Sequence, residues 1–183
     1  VLQRDMPAPV WGWSQAGDTV TVTFAGQTKT ATADKAGRWQ VTLDPLKASA
    51  KGQTLAVQSE MGNRKLAIAD VLVGEVWICS GQSNMQFGRT SMIGAAAMVK
   101  KAAGRPIRSM TVTQTVSFAP KDRCGGKWTT APSGSAVAFA FQYYLQEQVK
   151  VPVGVIVTCW GSSSLEGWMP LDLAGRLPHF KQA

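Results

Sequence analysis

The chain has 183 residues, of which 45% are hydrophobic and 16% charged, a globular composition that can bury one ordinary core or two small ones. This composition excludes disordered and collagen-like classes. The formal net charge of +8 comes from scattered Lys and Arg without an aromatic-interleaved basic stripe, so a solvated basic surface is favoured over nucleic-acid binding.

The first 71 residues show the alternation of apolar and polar side chains that is typical of β-strands. Leu55 and Val57 are expected to face Leu66 and Ile68 across a hairpin turn at residues 61–64. Short strands separated by polar turns predict a small antiparallel β-sandwich over residues 1–71. Other apolar positions in this alternation are Val20, Val22, Phe24, Trp39, Val41 and Leu43.

The segment 74–85, GEVWICSGQSNM, joins a predicted buried strand to a polar turn that begins at Ser80. Ser83 therefore lies just past the carboxyl end of a strand, where open α/β sheets place catalytic groups. A serine in a tight strand-to-helix turn exposes its hydroxyl and can offer its own N–H to an oxyanion, so Ser83 is the candidate nucleophile. The alternative is a helix-capping serine, since Ser and Asn often follow a strand in that role.

Beyond Met85 the periodicity predicts helices and strands in turn. The predicted helices are Met92–Ala103 and Ser135–Val149, the second capped near Ser133 or Ser135, and the predicted strands are Ile107–Val116 and Val151–Cys159. Residues 118–132 have no period and predict a loop of the kind that carries substrate contacts. The alternation predicts a parallel α/β layer over residues 72–183, so the fold class is α/β with a β-sandwich ahead of it.

A second polar turn, Trp160-Gly161-Ser162-Ser163-Ser164, follows the strand that ends at Cys159. Since parallel strands end at a common edge, this turn and the Ser83 turn are expected to open side by side. A small residue there lets backbone N–H groups approach an oxyanion, although Ser162 would be strained if its φ were positive. The three cysteines form no CxxC or Cys/His cluster, so no metal site is predicted, and Cys79 and Cys159 are expected to be small buried hydrophobes.

Two blocks of the sequence resemble a known family. DVLVGEVWICSGQSNM, residues 70–85, is similar to the first block of the sialate O-acetylesterase family, a branch of the SGNH (GDSL-like) serine hydrolases. VPVGVIVTCWGSSSLEGWMP, residues 151–170, resembles that family's W-G-G-T-x-I-E-x-W block, with Ser162 where the family has a second Gly. The resemblance covers essentially the whole chain and corresponds to the amino-terminal portion of the family.

The resemblance implies a serine esterase that hydrolyses acetyl esters on sugars through an acetyl-enzyme. Ser83 would be the nucleophile, and the amides of Ser83, Gly161 and Ser162 would form the oxyanion hole. No metal or organic cofactor is implied. Residues expected to contact substrate or to orient the site are Gln82, Asn84, Glu166 and Trp168.

The base that should take the serine proton is missing from the matched blocks. The family's Gln-Gly-Glu core and its final Asp-x-x-His are absent, and the single histidine, His179, has Arg176 rather than Asp three residues before it. His179 is interpreted as a surface loop residue. The chain is therefore expected to be inactive by itself or to be completed by a second polypeptide that carries the rest of the hydrolase layer.

Another function class stays open at this stage. A non-catalytic carbohydrate-binding or interaction protein could use Trp11, Trp13 or Trp39, although core packing of these tryptophans is favoured. No apolar run is long enough for a membrane-spanning helix, and no signal peptide precedes Val1 in the sequence as given. The resemblance implies a secreted or periplasmic protein.

Overall fold

Strands and helices alternate along the chain in the predicted order, in a computed structural model that describes residues 1–117 and 119–178. The strands are β1 Leu2–Gln3, β2 Ala8–Trp13, β3 Thr19–Phe24, β4 Gln27–Thr32, β5 Arg38–Leu43, β6 Ser49–Ser59, β7 Lys65–Gly81, β8 Ile107–Thr111, β9 Trp128–Thr129 and β10 Val153–Cys159. The α-helices are α1 Ser83–Gln86, α2 Ala95–Ala102, α3 Ala136–Val149 and α4 Leu171–Ala174, with 3-10 turns at Arg89–Ser91 and Leu165–Trp168.

The amino-terminal strands form the predicted β-sandwich. Strands β4, β3, β6 and the first part of β7 pair antiparallel in that order, and β2 pairs with β5 in a separate two-stranded sheet. The alternation buries one face of β3 and one face of β5, as the fully buried Val22, Phe24 and Leu43 show. The predicted hairpin is confirmed, because Leu55 pairs with Ile68 and Val57 pairs with Leu66.

Strand β7 belongs to both layers of the fold. Its antiparallel pairing with β6 ends at Val73, and its parallel pairing with β10 begins at Glu75. Gly74 lies at this change of partner, where an added Cβ would collide with the carbonyl oxygen of Pro152. The domain division after residue 71 stays a prediction, and the strand passes through that position without a break.

The second layer is the predicted parallel arrangement. Strand β10 lies between β7 and β8 and is parallel to both. Helix α3 begins after Ser135, whose hydroxyl accepts a hydrogen bond from the N–H of Ala138, so the predicted cap is confirmed there. The helix packs on one face of the sheet, where Phe139 and Ala138 are fully buried.

Three predicted elements differ in extent or burial. Strand β8 ends at Thr111 rather than residue 116, because the chain beyond it turns toward Gly125. Helix α2 begins at Ala95 rather than residue 92, after Gly94 in the left-handed region at φ 75°. The predicted burial of Ile78 is wrong: its side chain is 69% exposed because the sheet face opposite α3 is uncovered in the described residues.

No described helix is long and apolar enough to span a membrane.

Candidate active site

The first polar turn projects Ser83 from the carboxyl end of β7. Gly81 ends the strand with φ 149°, a conformation that side chains rarely adopt, and α1 begins two residues later at Ser83. Gln82 occupies the helix cap position, and its side chain makes no cap hydrogen bond. The Ser83 side chain is exposed and forms no hydrogen bond with a described residue, so it is not the helix cap that was the alternative interpretation.

The second polar turn lies directly against the first, as the parallel pairing predicts. Cys159 pairs with Gly81 at the ends of β10 and β7, and the N–H of Trp160 donates to the Gly81 carbonyl at 3.1 Å. A Cβ placed on Gly161 would lie 3.6 Å from the Cα of Ser83. Glycine at this position therefore allows the backbones of the two turns to approach closely.

Gln86 links the two turns and was not predicted from the sequence. Its Oε1 accepts a hydrogen bond of 2.6 Å from the N–H of Gly161, and an added Cβ on Gly161 would lie 2.5 Å from the same oxygen. Gln86 follows Ser83 by three residues in one helical turn, a spacing that places both side chains on one side of the helix. That spacing was the signal available in the sequence.

Ser162 has a positive φ. It occupies the position of the second Gly in the block that the sequence resembles, and glycine adopts a positive φ without strain. Its φ is 61°, in the left-handed region, which is unfavourable for a residue with a Cβ. The turn is stabilised from its far side, because the Trp168 Nε1 donates to the Ser163 hydroxyl at 2.7 Å and that hydroxyl donates to the Trp160 carbonyl at 2.6 Å. A network of hydrogen bonds thus supports the strained backbone.

The other predicted site residues lie near these turns in different ways. Gln82 and Asn84 flank Ser83 and are exposed. Trp168 supports the second turn from the 3-10 segment Leu165–Trp168, and it is 38% exposed. Glu166 lies in the same segment with its side chain exposed, and its carbonyl accepts from the N–H of Met169.

A cavity of about 410 Å³ adjoins the Ser83 turn at the carboxyl ends of β8 and β10. Met85 and Gln86 form one wall, and Thr111, Thr113 and Gln114 bring neutral hydrogen-bonding groups to the other. Its size falls in the range of small-molecule sites. The sequence did not identify these residues, because their proximity depends on β8 ending beside β10.

The remaining nucleophiles near the site are poorly suited to catalysis. Burial raises the pKa of the Cys79 thiol and also that of Cys159, which keeps both thiols neutral at physiological pH. Cys79 is buried against Val155 and Val157, as expected, whereas Cys159 packs on the same cluster but is only half-buried. His179 lies outside the described residues, and the described part of the chain contains no histidine.

Comparisons with known proteins identify relatives over nearly the whole chain. The chain is 33% identical to a sialate O-acetylesterase of Rattus norvegicus and 34% identical to one of Homo sapiens, over 92% of its own length in each case. These matches span 35% and 36% of the two relatives, so the chain covers about a third of their length. No protein-family model matches the chain.

The fold is also similar to a solved structure. A carbohydrate acetylesterase from Xanthomonas citri superposes with a TM-score of 0.88 at 35% identity, over 96% of this chain and 41% of that protein. The superposition covers both the sandwich and the parallel layer, because it leaves out only a small part of the chain.

Proposed function

We propose that this chain, over the segment that it shares with its relatives, belongs to the sialate O-acetylesterase family and carries the nucleophile of a carbohydrate O-acetylesterase. Its substrate is an acetyl ester on a sugar. The observation that carries the proposal is the close approach of Gly161 to Ser83, which brings the two polar turns together at one sheet edge.

The reaction proceeds by acyl transfer to Ser83. As a base takes the hydroxyl proton, Oγ attacks the acetyl carbonyl carbon, and the tetrahedral intermediate then expels the sugar alkoxide, which takes that proton from the protonated base and leaves as the sugar alcohol. Water attacks the acetyl-enzyme in the second step, the bond from the acyl carbon to Oγ breaks, and acetate leaves. The free and exposed hydroxyl of Ser83 supports this role.

The oxyanion donors are the N–H groups of Ser83 and Ser162, with Gly161 available only after a rearrangement. Gln86 Oε1 accepts from the Gly161 N–H, so an oxyanion must displace that amide oxygen before Gly161 can donate to it. Removing one oxyanion donor typically costs about 3 to 4 kcal/mol of transition-state stabilisation. We therefore assign the positive-φ turn at Ser162 the second donor position.

The catalytic base comes from outside residues 1–117 and 119–178. The face of the parallel layer opposite α3 exposes Ile78, and parallel sheets are normally covered on both faces. We propose that a further segment of the hydrolase layer, on the same polypeptide or on a second one, covers this face and brings the base. The exported location, secreted or periplasmic, is part of the same proposal.

Chemical rescue by imidazole tests the proposal on this chain alone. Exogenous imidazole can replace a missing histidine base if the nucleophile and the oxyanion donors are already positioned. We expect a rate of 4-nitrophenyl acetate hydrolysis above that of imidazole alone, and we expect this additional rate to saturate with ester, to require imidazole and to disappear in Ser83→Ala. Mass spectrometry should find an acetyl group on the peptide containing Ser83.

Two control variants make the result specific. Ser80→Ala removes another exposed serine next to the turn and should leave the rescued rate unchanged. His179→Ala should also leave it unchanged, whereas an imidazole-independent rate that is lost in His179→Ala would identify His179 as the base. Equal rates for the wild type and Ser83→Ala under all conditions would contradict the proposal and support a non-catalytic carbohydrate-binding or interaction fragment.

A further inference from the structure

The Gln86 side chain makes a contact with the second polar turn that its place in α1 does not require. Its Oε1 accepts a hydrogen bond of 2.6 Å from the Gly161 N–H, which is 75 residues away in the chain. The Gln86 backbone N–H is satisfied separately, because it donates to the Gln82 carbonyl within the helical turn. The side chain therefore acts between the two polar turns rather than within α1.

The backbone of residues 159–161 is fixed by one hydrogen bond at each residue. The partners of these three residues, in chain order, are the Gln114 Nε2, the Gly81 carbonyl and the Gln86 Oε1, at 3.0, 3.1 and 2.6 Å. The next residue is Ser162, which has the positive φ. The hydrogen bond to Gln86 is therefore the one immediately before the strained residue.

The contact between Gln86 and Gly161 leaves no room for a larger residue. A Cβ on Gly161 would lie 2.5 Å from the Gln86 Oε1, whereas its distance to the Ser83 Cα would be 3.6 Å, an ordinary contact. Gly161 does not have a positive φ, so its backbone conformation does not by itself require glycine. The Gln86 oxygen is the described group that excludes a Cβ at this position.

We propose that Gln86 is a positioning residue for acyl transfer, whose Oε1 holds the Gly161 peptide so that the Ser162 N–H is kept in place to donate to the oxyanion. The inference rests on the proposed esterase function and extends it to a residue that makes and breaks no bond. A serine at φ 61° is strained, and a short hydrogen bond at the preceding N–H opposes relaxation of the turn.

A blocking role is the alternative for the same hydrogen bond. Gln86 would then occupy a Gly161 N–H that the oxyanion needs, and its removal would speed the reaction. The two amides favour the positioning role, because the Gly161 N–H is engaged whereas the Ser162 N–H forms no hydrogen bond with a described residue. Ser162 therefore has the N–H that can receive an oxyanion without first losing a partner.

Gln86→Met tests this role, because methionine keeps the side-chain length and removes the acceptor oxygen. We expect the imidazole-rescued, Ser83-dependent rate at saturating 4-nitrophenyl acetate to fall about 10- to 100-fold, with KM within about twofold of the wild-type value. Gln86→Glu keeps an acceptor oxygen and should recover part of the lost rate. Gln148→Met, the same change at an exposed residue of α3, should leave both constants unchanged.

A double-mutant cycle separates the contact between Gln86 and Gly161 from a general loss of stability. Gly161→Ala should lower the rate strongly when Gln86 is present, because the added Cβ collides with the Gln86 Oε1. In Gln86→Ala that oxygen is absent, so adding Gly161→Ala should lower the rate by less than about threefold. Fully additive effects would contradict the proposal.

Hydrogen exchange at the Gly161 amide, followed by NMR, measures the hydrogen bond without the esterase reaction. We expect this amide to be protected in the wild type and to exchange faster in Gln86→Met, while Gln148→Met leaves its exchange unchanged. An unprotected Gly161 amide in the wild type would overturn the proposal, because Gln86 would not hold the turn in solution.

The kinetic results distinguish the failure of the two proposals. No Ser83-dependent rate in the wild type would contradict the esterase function, and the positioning role would fall with it. A wild-type rate that Gln86→Met leaves unchanged would contradict only the inference about Gln86. A raised rate would do the same and identify a block on Gly161, and a change confined to KM would show that Gln86 binds the ester instead.

Discussion

Ser162 shows how a single residue can carry strain at the centre of the candidate site. Its φ of 61° places a serine Cβ in the left-handed region, at a cost of about 1 to 2 kcal/mol relative to ordinary backbone. The neighbouring Ser164 has an extended conformation, with φ −72° and ψ 157°. The two serines therefore form a natural pair for measuring that strain.

We expect Ser162→Gly to stabilise the chain by about 0.5 to 1 kcal/mol, because glycine adopts positive φ without a steric penalty. Ser164→Gly should have the opposite sign, since it only adds freedom to the unfolded chain. Urea unfolding of both variants provides the measurement. A loss of stability in Ser162→Gly would mean that the Ser162 hydroxyl stabilises the fold by more than the positive φ destabilises it.

The carboxylate of Asp18 makes the free energy of unfolding depend on pH. Hydrogen bonds from Ser14, then from Ser59 and the Met61 N–H, lower the pKa of Asp18 below its ordinary value. A lowered pKa in the folded state means that the carboxylate stabilises the fold above the unfolded pKa of about 3.9. That stabilisation is lost as the pH falls through the lower, folded-state pKa.

We therefore expect Asp18→Asn to lower the urea midpoint at pH 7, and we expect the difference from wild type to shrink at pH 3. The physical reason is that the wild-type carboxyl becomes neutral in acid, as the amide always is. An equal difference at both pH values would show that packing, rather than charge, accounts for the effect.

At the scale of elements, the Gln142 side chain connects helix α3 to the parallel sheet by hydrogen bonds. Its side chain is fully buried, and its Nε2 donates to the carbonyls of Arg108 in the β8 strand and Val153 in the β10 strand, at 2.8 and 3.1 Å. In the sequence, α3 has the pattern of an ordinary amphipathic helix, which does not distinguish Gln142 from its other polar residues. A buried glutamine with two backbone acceptors is a connection between three elements.

We expect Gln142→Met to destabilise the chain by about 2 to 4 kcal/mol, because the change preserves side-chain volume and leaves two carbonyls without their donor. The same substitution at the exposed Gln148 should change stability by less than about 0.5 kcal/mol. Thermal and urea unfolding of the Gln142→Met and Gln148→Met variants measure the two changes in stability. Similar effects for both variants would contradict a role for the buried amide.

The molecule as a whole exposes apolar surface on its parallel layer. Ile78 is 69% exposed on the face opposite α3, and Trp77 is 44% exposed on the face that α3 partly covers, where it contacts Phe141 edge to face at 5.4 Å. On its side opposite β10, strand β7 pairs with β1 at Val73 and Gly74, and the Val76 N–H donates to the Gln3 Oε1, but no described strand pairs with this side along residues 77–81. An open edge beside an apolar face is a typical association surface.

We expect the chain to self-associate with rising concentration and Ile78→Thr to weaken that association while keeping strand propensity. Ile93→Thr is the matched control, because Ile93 is fully exposed on a loop away from the sheet face. Size-exclusion chromatography with light scattering gives the masses. A monomeric wild type at all concentrations would argue against a missing cover for this face.

The sequence by itself determined the features that depend on local patterns. Period-two alternation located the sandwich strands and the hairpin register, helical periodicity located α3, and its cap was narrowed to Ser133 or Ser135, of which the structure shows Ser135. The position of Ser83 after a strand and the family resemblance of its block also needed no coordinates. Such features depend on chemistry within a few residues along the chain.

Only the tertiary structure decided which distant residues meet and which surfaces stay open. It placed Gly161 against Ser83, engaged the Gly161 N–H with Gln86, and gave Ser162 its positive φ. It also buried Trp39 and exposed Trp11, although both tryptophans lie in alternating strands. The reason is that burial and long-range hydrogen bonds depend on the neighbours that the sheet topology supplies, and these neighbours are remote in sequence.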